Sequence, residues 1–303
     1  MEEREVRLKK LEELKSLGED PYKTRFERTH SLKEIKDNYP SLEGKVVKVA
    51  GRVISKRLHG KASFSTIRDF SGTLQIYIRF DNVGEETYKF FKKFIDPGDF
   101  IGVEGEVFKT HTGEITINVR KLTLLSKSIR PLPEKYHGVK DVEVRYRKRY
   151  LDLIANPEVK EIFITRSKLI KTMREILESF GFIEVETPML QPIPGGATAR
   201  PFVTYHNALD MNLYLRIAPE LYLKRLIVGG FERIFEINRN FRNEGISTVH
   251  NPEFTMLELY WAYADYKDMM ELTEKLISET VKRIKGSYIC EFKGEKIDFS
   301  PPW

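Results

Sequence analysis

A chain of 303 residues exceeds the size at which one hydrophobic core stops growing, so two compact units are expected. Its 41% hydrophobic and 32% charged residues describe a globular protein too rich in charge for a membrane span, and 51 basic against 45 acidic side chains leave a net charge of +6, compatible with a polyanionic partner but far below that of a basic tail. The lone Cys290 excludes an internal disulfide, no Cys/His spacing matches a zinc site, and no basic-then-apolar run opens the chain as a secretory signal; a cytoplasmic protein is expected.

Positions 2–17 place Val6, Leu8, Leu11, Leu14 and Leu17 at three- and four-residue spacings, which predicts an amphipathic helix ended by Gly18 and Pro21. From position 45 the period falls to two. Val47, Val49, Gly51 and Val53 alternate, then Leu74, Ile76, Ile78 and Phe80, then Ile115, Ile117 and Val119. Five strands are predicted, near 45–56, 62–68, 73–80, 99–108 and 114–125, with a helix over 85–95 carrying Tyr88, Phe91 and Phe94 between the third and fourth. That order of elements is the order of a five-stranded oligonucleotide-binding barrel.

Arg130, Pro131, Leu132 and Pro133 form a stiff linker, and the basic run Arg145, Arg147, Lys148, Arg149 begins a new pattern, so the domain boundary is placed between 144 and 145. Beyond it, Leu169, Ile170, Met173, Ile176, Leu177 and Phe180 share one helical face closed by Gly181, followed by an extended segment to Thr187 and Pro188. Pro219 opens a second helix that stops at Gly229 and Gly230. Strands over 231–241 and 253–262 flank a polar loop at 242–251, and Asp265 caps a last helix that runs to about position 285.

The run from Phe235 to Glu244, continued from His250 to Tyr260, resembles motif 2 of the class II aminoacyl-tRNA synthetases, and 181–188 resembles motif 1. Within the class, 195–202 and 216–224 are similar to the lysine-activating branch, and the likeness runs from Met1 to Trp303. It implies an α+β architecture: residues 1–144 as an N-terminal helix, OB-fold anticodon-binding barrel and linker, and residues 145–303 as a truncated antiparallel-sheet catalytic domain with flanking helices. The reaction implied is ATP-dependent activation of L-lysine to lysyl-adenylate and its transfer to the 3′ end of tRNA(Lys), with magnesium accompanying ATP and a homodimer built through motif 1.

The residue types suit that chemistry. A carboxylate attacks the ATP α-phosphate, so two anions must be held against their repulsion, and a planar guanidinium donates to both at once. The resemblance gives that role to Arg242. It assigns Glu244, His250, Asn251 and Phe254 to ATP, with Phe254 as the face on which adenine stacks, and gives Gly196 and Glu220 to the α-ammonium group of lysine. Glu258 and Tyr260 are assigned to the side-chain ammonium, and Arg57, Phe64 and Gln75 to the central uridine of the anticodon.

Each residue also has a plainer reading. Phe64 and Phe254 suit a core, and Glu220 suits an internal ion pair with Arg216 or Arg239. Val249 stands where many relatives carry a polar or basic residue. The third class II motif, with the arginine that clamps the γ-phosphate, does not precede Trp303, and the magnesium ligands are expected beyond it, with no metal held within this chain; alone, the chain is expected not to make lysyl-adenylate. Aspartyl and asparaginyl synthetases share the barrel and both motifs, but Glu220 and Glu258 would repel a carboxylate side chain. A non-catalytic RNA-binding protein is the alternative of a different class.

Overall fold

The computed structural model describes residues 2–133, 139–247 and 249–303; Met1, residues 134–138 and Thr248, the last inside the predicted loop 242–251, lie outside the described residues. The chain forms two compact units, Met1–Pro157 and Glu158–Trp303, with the short helices Val142–Arg147 and Arg149–Ala155 on the N-terminal side of the division. No helix among the described residues is long and apolar enough to cross a membrane.

In the first unit, β1 (Val46–His59), β2 (Ala62–Arg68), β3 (Thr73–Arg79), β4 (Phe100–Lys109) and β5 (Ile115–Ser126) close a barrel in the order β1-β2-β3-β5-β4. The period-two pattern explains it. Val47, Val49, Val53, Ile67, Leu74, Ile76, Ile78, Ile101, Val103, Ile117 and Val119 point inward and are buried, while their sequence neighbours, apart from Gly102 and Thr116, are more exposed. All pairs are antiparallel except β3 with β5. The helix Glu85–Phe94 plugs the core with Tyr88, Phe91 and Phe94, and Leu14 of the helix Glu3–Ser16 joins the same cluster. The third strand stops one residue short of its expected end. Phe80 instead opens a one-turn helix, Phe80–Val83.

Directly after β5, Lys127 is buried and its Nζ donates to Asp96, Asp99 and the carbonyl of Phe94, each at 2.7 Å. A buried charge persists because two carboxylates, the buried Asp99 and the partly buried Asp96, lie close to it.

The second unit is built on a long hairpin. β10 (Arg233–Phe241) pairs antiparallel with β11 (Glu253–Trp261), and the two-residue β6 (Ile183–Glu184) adds to β10 in parallel. Shorter strands β7 (Leu190–Gln191), β8 (Val203–His206) and β9 (Met211–Leu215) form a separate antiparallel sheet, and β12 (Ile289–Phe292) with β13 (Glu295–Asp298) a small hairpin. The helices Val159–Ser179 and Tyr266–Lys285 supply Ile176, Leu177, Leu272 and Leu276 to a core that also takes Phe235, Ile237, Leu257, Leu259 and Trp261. Asp265 caps the last helix as predicted, its side chain accepting from the backbone of Lys267 and Asp268, and Gly286 ends it in a left-handed turn.

The strand period has a consequence. With Phe235, Ile237, Leu257 and Leu259 turned to the core, Glu236, Asn238, Asn240, Phe254, Met256, Glu258 and Tyr260 must share the opposite face. The helices cover one side of the ribbon and the other carries the polar residues.

Candidate functional site

The hairpin loop begins where β10 ends. Arg242 N–H donates to the Pro252 carbonyl at 2.8 Å, closing the loop, and Asn243 N–H donates to the Arg200 carbonyl at 2.7 Å, tying it to the glycine-bearing segment before β8. At the far end Ser247 and His250 hold each other through Oγ and Nδ1 at 2.8 Å. Arg242, Glu244, Gly245, His250, Asn251 and Phe254 line one cavity of about 280 Å³. Every residue assigned above to ATP therefore meets in one hollow. The Arg242 guanidinium lies 5.2 Å from the centre of the Phe254 ring, and its Nε–H makes only a long hydrogen bond, 3.4 Å, to the Ile217 carbonyl. Phe254 is half-buried on the outer face of the ribbon, outside the buried apolar cluster.

Glu258, on the same face of the ribbon, feels the charges of Glu220 and Glu236. Glu220 opens the helix Glu220–Val228 and pairs with Lys224 one turn on, at 2.7 Å. Gly196 sits against it with φ +87°, and a Cβ there would come within 2.8 Å of the Glu220 Cβ and 3.1 Å of the Ala218 Cβ, so both space and backbone require glycine. Glu258 is half-buried and, among the described residues, accepts no hydrogen bond and joins no ion pair. Burial pushes its carboxyl above the usual carboxylate range, Glu220 and Glu236 push it the same way, and Arg216 and Arg242 oppose them. The Tyr260 hydroxyl is pushed up to about 12 by its own burial and by the charges of Glu258 and Glu220. Gly196 thus lies against Glu220, the charges of Glu220 and Glu258 reach each other and Tyr260, and Arg242, which lines the hairpin-loop cavity, is close enough to act on Glu258.

The ion pairs offered as the plainer reading of Glu220 take other partners. Arg216 pairs with Glu236 at 2.7 Å, both side chains 1% exposed, and Arg239 reaches Glu253 at 3.5 Å. Sequence reasoning missed Glu236. Pairing Phe241 with Glu253 and counting back along both strands puts Glu236 directly opposite Glu258, and that arithmetic was the available signal.

On the barrel, Phe64 and Gln75 alternate with inward residues and face out, as the burial of their sequence neighbours requires. Arg57 stands opposite Phe64 across β1 and β2, and these three line a hollow of about 420 Å³ with His59, Thr110, His111 and Thr112. Gln75 Nε2 donates to Thr116 Oγ1 at 3.0 Å, which fixes its amide. Tyr77, unremarked in the sequence, stacks on Phe64.

Two family descriptions match the chain: tRNA synthetases class II (D, K and N) over residues 141–303, and OB-fold nucleic acid binding domain over residues 47–125. Proteins named lysine--tRNA ligase are similar along nearly all of it. The one from Syntrophomonas wolfei subsp. wolfei is 62% identical over 300 residues, covering 99% of this chain and 61% of the relative. Those of Carboxydothermus hydrogenoformans and Pelotomaculum thermopropionicum are each 61% identical over 298 residues, covering 98% of this chain and 61% and 59% of the relatives. The chain spans about three fifths of the length of the curated relatives it matches.

Proposed function

This chain belongs to the class II tRNA synthetases of the D, K and N group, and on that premise we propose that it serves the activation of L-lysine with ATP and the transfer of the lysyl group to the 3′ end of tRNA(Lys). The observation that carries the choice of lysine is Glu258: a half-buried carboxylate without a partner among the described residues, close enough to Glu220 to feel its charge, so that an aspartate side chain would be repelled there. An ammonium group supplies the missing charge. The relatives named lysine--tRNA ligase support the same reading.

In this proposal Glu220 and the Gly196 carbonyl take the α-ammonium, Glu258 and Tyr260 the side-chain ammonium, and Arg242 bridges the lysine carboxylate and the ATP α-phosphate. Arg242 lines the hairpin-loop cavity, acts on Glu258 by its charge and is lightly held, which leaves its donors available to both anions. Adenine stacks on Phe254 with Glu244 at its amino group, while His250 and Asn251 face the phosphates. Magnesium would accompany ATP through its phosphates in this reading.

The barrel hollow with Arg57, Phe64 and Gln75 is proposed to take the central anticodon base of tRNA(Lys). The exposed Ile162, Phe163, Leu169 and Ile183 offer apolar surface for a second copy of the chain through motif 1.

Equilibrium dialysis of labelled L-lysine against the chain, with aspartate and asparagine as competitors, tests the central claim. Lysine alone should bind, and substitution Glu258→Ala should abolish binding. Equal retention of lysine by that variant, or displacement by aspartate, would overturn the proposal.

A further inference from the structure

Glu236 and Glu258 are register partners on β10 and β11 and lie on the same face of the ribbon. Two carboxylates directly opposite one another repel, and an unaided pair of this kind keeps a proton between them. The structure resolves the conflict unequally. Glu236 accepts from Arg216 Nη1 at 2.7 Å, from Thr187 Oγ1 at 2.7 Å, from Thr187 N–H at 3.3 Å and from Asn238 Nδ2 at 3.2 Å, so both its oxygens are occupied. Glu258 accepts nothing among the described residues.

Arg216 is fixed from several sides. Its Nε–H donates to the Arg239 carbonyl at 2.9 Å and its Nη1 to Thr187 Oγ1 at 3.0 Å, while its backbone bonds to Met189 and Phe241. It is among the largest fully buried side chains of the protein. A guanidinium held this way cannot turn to Glu258, yet its charge is felt there.

We propose that Arg216 is a specificity-determining positioning residue: by engaging Glu236 it leaves Glu258, opposite it, as the carboxylate of the pair without a partner among the described residues, open to a cationic substrate side chain. The proposal rests on the lysine reading above for the identity of that cation. The charged and titratable groups facing Glu258 are Glu220 from its helix, Arg216 beyond β9, Glu236 on β10, Arg242 after it, and Tyr260 on β11 itself. Without Arg216, Glu236 and Glu258 would share a proton and the pocket would lose the fixed charge that an ammonium group requires.

Titration of glutamate carboxyl carbons by NMR in the isotope-labelled chain reads this directly, with the Glu258 signal assigned by its loss in Glu258→Gln. Arg216→Met should move the Glu258 midpoint upward and Glu236→Gln should move it downward, since one removes an opposing positive charge and the other a repelling negative one. The double variant should return toward wild type, and Arg216→Lys should remain near it. A purely structural role predicts otherwise: loosening would expose Glu258 in both single variants and lower both midpoints. Shifts of the same sign, or none, overturn the proposal; if Arg216→Met does not fold, a midpoint that fails to fall in Glu236→Gln does so alone. Labelled lysine dialysed against the same variants should bind about tenfold more weakly to Arg216→Met. Failure of the wild-type chain to bind lysine sinks the lysine reading, while the titration still decides the role of Arg216.

Discussion

The Phe64 ring lies on the Tyr77 ring with centroids 4.6 Å apart and planes inclined by 27°, across paired positions of β2 and β3. One face of Phe64 is thereby covered, and a base approaching the barrel meets a ring already held in place by a neighbour.

Replacing Phe64 with Ala should weaken binding of a hairpin RNA carrying the lysine anticodon by about 1–3 kcal/mol, the usual worth of a stacked base. Fluorescence anisotropy would measure it. Because Phe64 faces outward, the melting temperature should change little. A large drop in melting temperature with unaltered RNA affinity would make Phe64 a packing residue only.

Glu258 supplies a prediction in which stability and binding move in opposite directions. Its folded-state carboxyl titrates above the unfolded value, mainly through burial, so the folded chain binds the extra proton. The resulting penalty is absent below the ordinary carboxylate range, grows as pH rises through the raised value and is complete above it. Glu258→Gln should therefore raise the melting temperature at neutral pH, leave it nearly unchanged at low pH, and lose lysine binding. Calorimetry at the two pH values, beside dialysis, checks all three.

Lys127→Met removes the buried partner of Asp99 and of Asp96 at once. A buried charge left uncompensated costs about 3–5 kcal/mol, so the barrel should unfold at markedly lower urea concentration. Pairing the change with Asp99→Leu should recover part of the loss, because both ends of the ion pair are then gone.

Gly196→Ala combines a positive φ with a collision against Glu220. Strain of this kind costs on the order of 1–3 kcal/mol. Glu220 must also shift, so lysine affinity should fall together with stability; an unchanged affinity would separate Gly196 from the pocket.

Much of this was readable in the chain itself, and the reasons are local. The barrel strands follow from strict alternation at Val47, Val49 and Val53 and at Leu74, Ile76 and Ile78, and the last helix from Asp265 at its cap. What escaped was short or distant. The strands Leu190–Gln191 and Val203–His206 are too brief to show a period, and the helix Leu32–Asp37 announced itself only by the box of Ser31 and Glu34. The Arg216–Glu236 pair joins side chains 20 positions apart, and no window along the sequence displays which of several carboxylates an arginine will choose. Arg242, Glu244, His250, Asn251 and Phe254 could be found together because one loop carries nearly all of them.

The β10–β11 ribbon is sided, with Phe235, Ile237, Leu257 and Leu259 against the helices and Glu236, Asn238, Asn240 and Glu258 on the other face. Evolution can therefore edit the guest without re-engineering the scaffold. A change at 258 would leave the apolar layer beneath untouched, which offers a structural reason why one framework could serve amino acids of different charge.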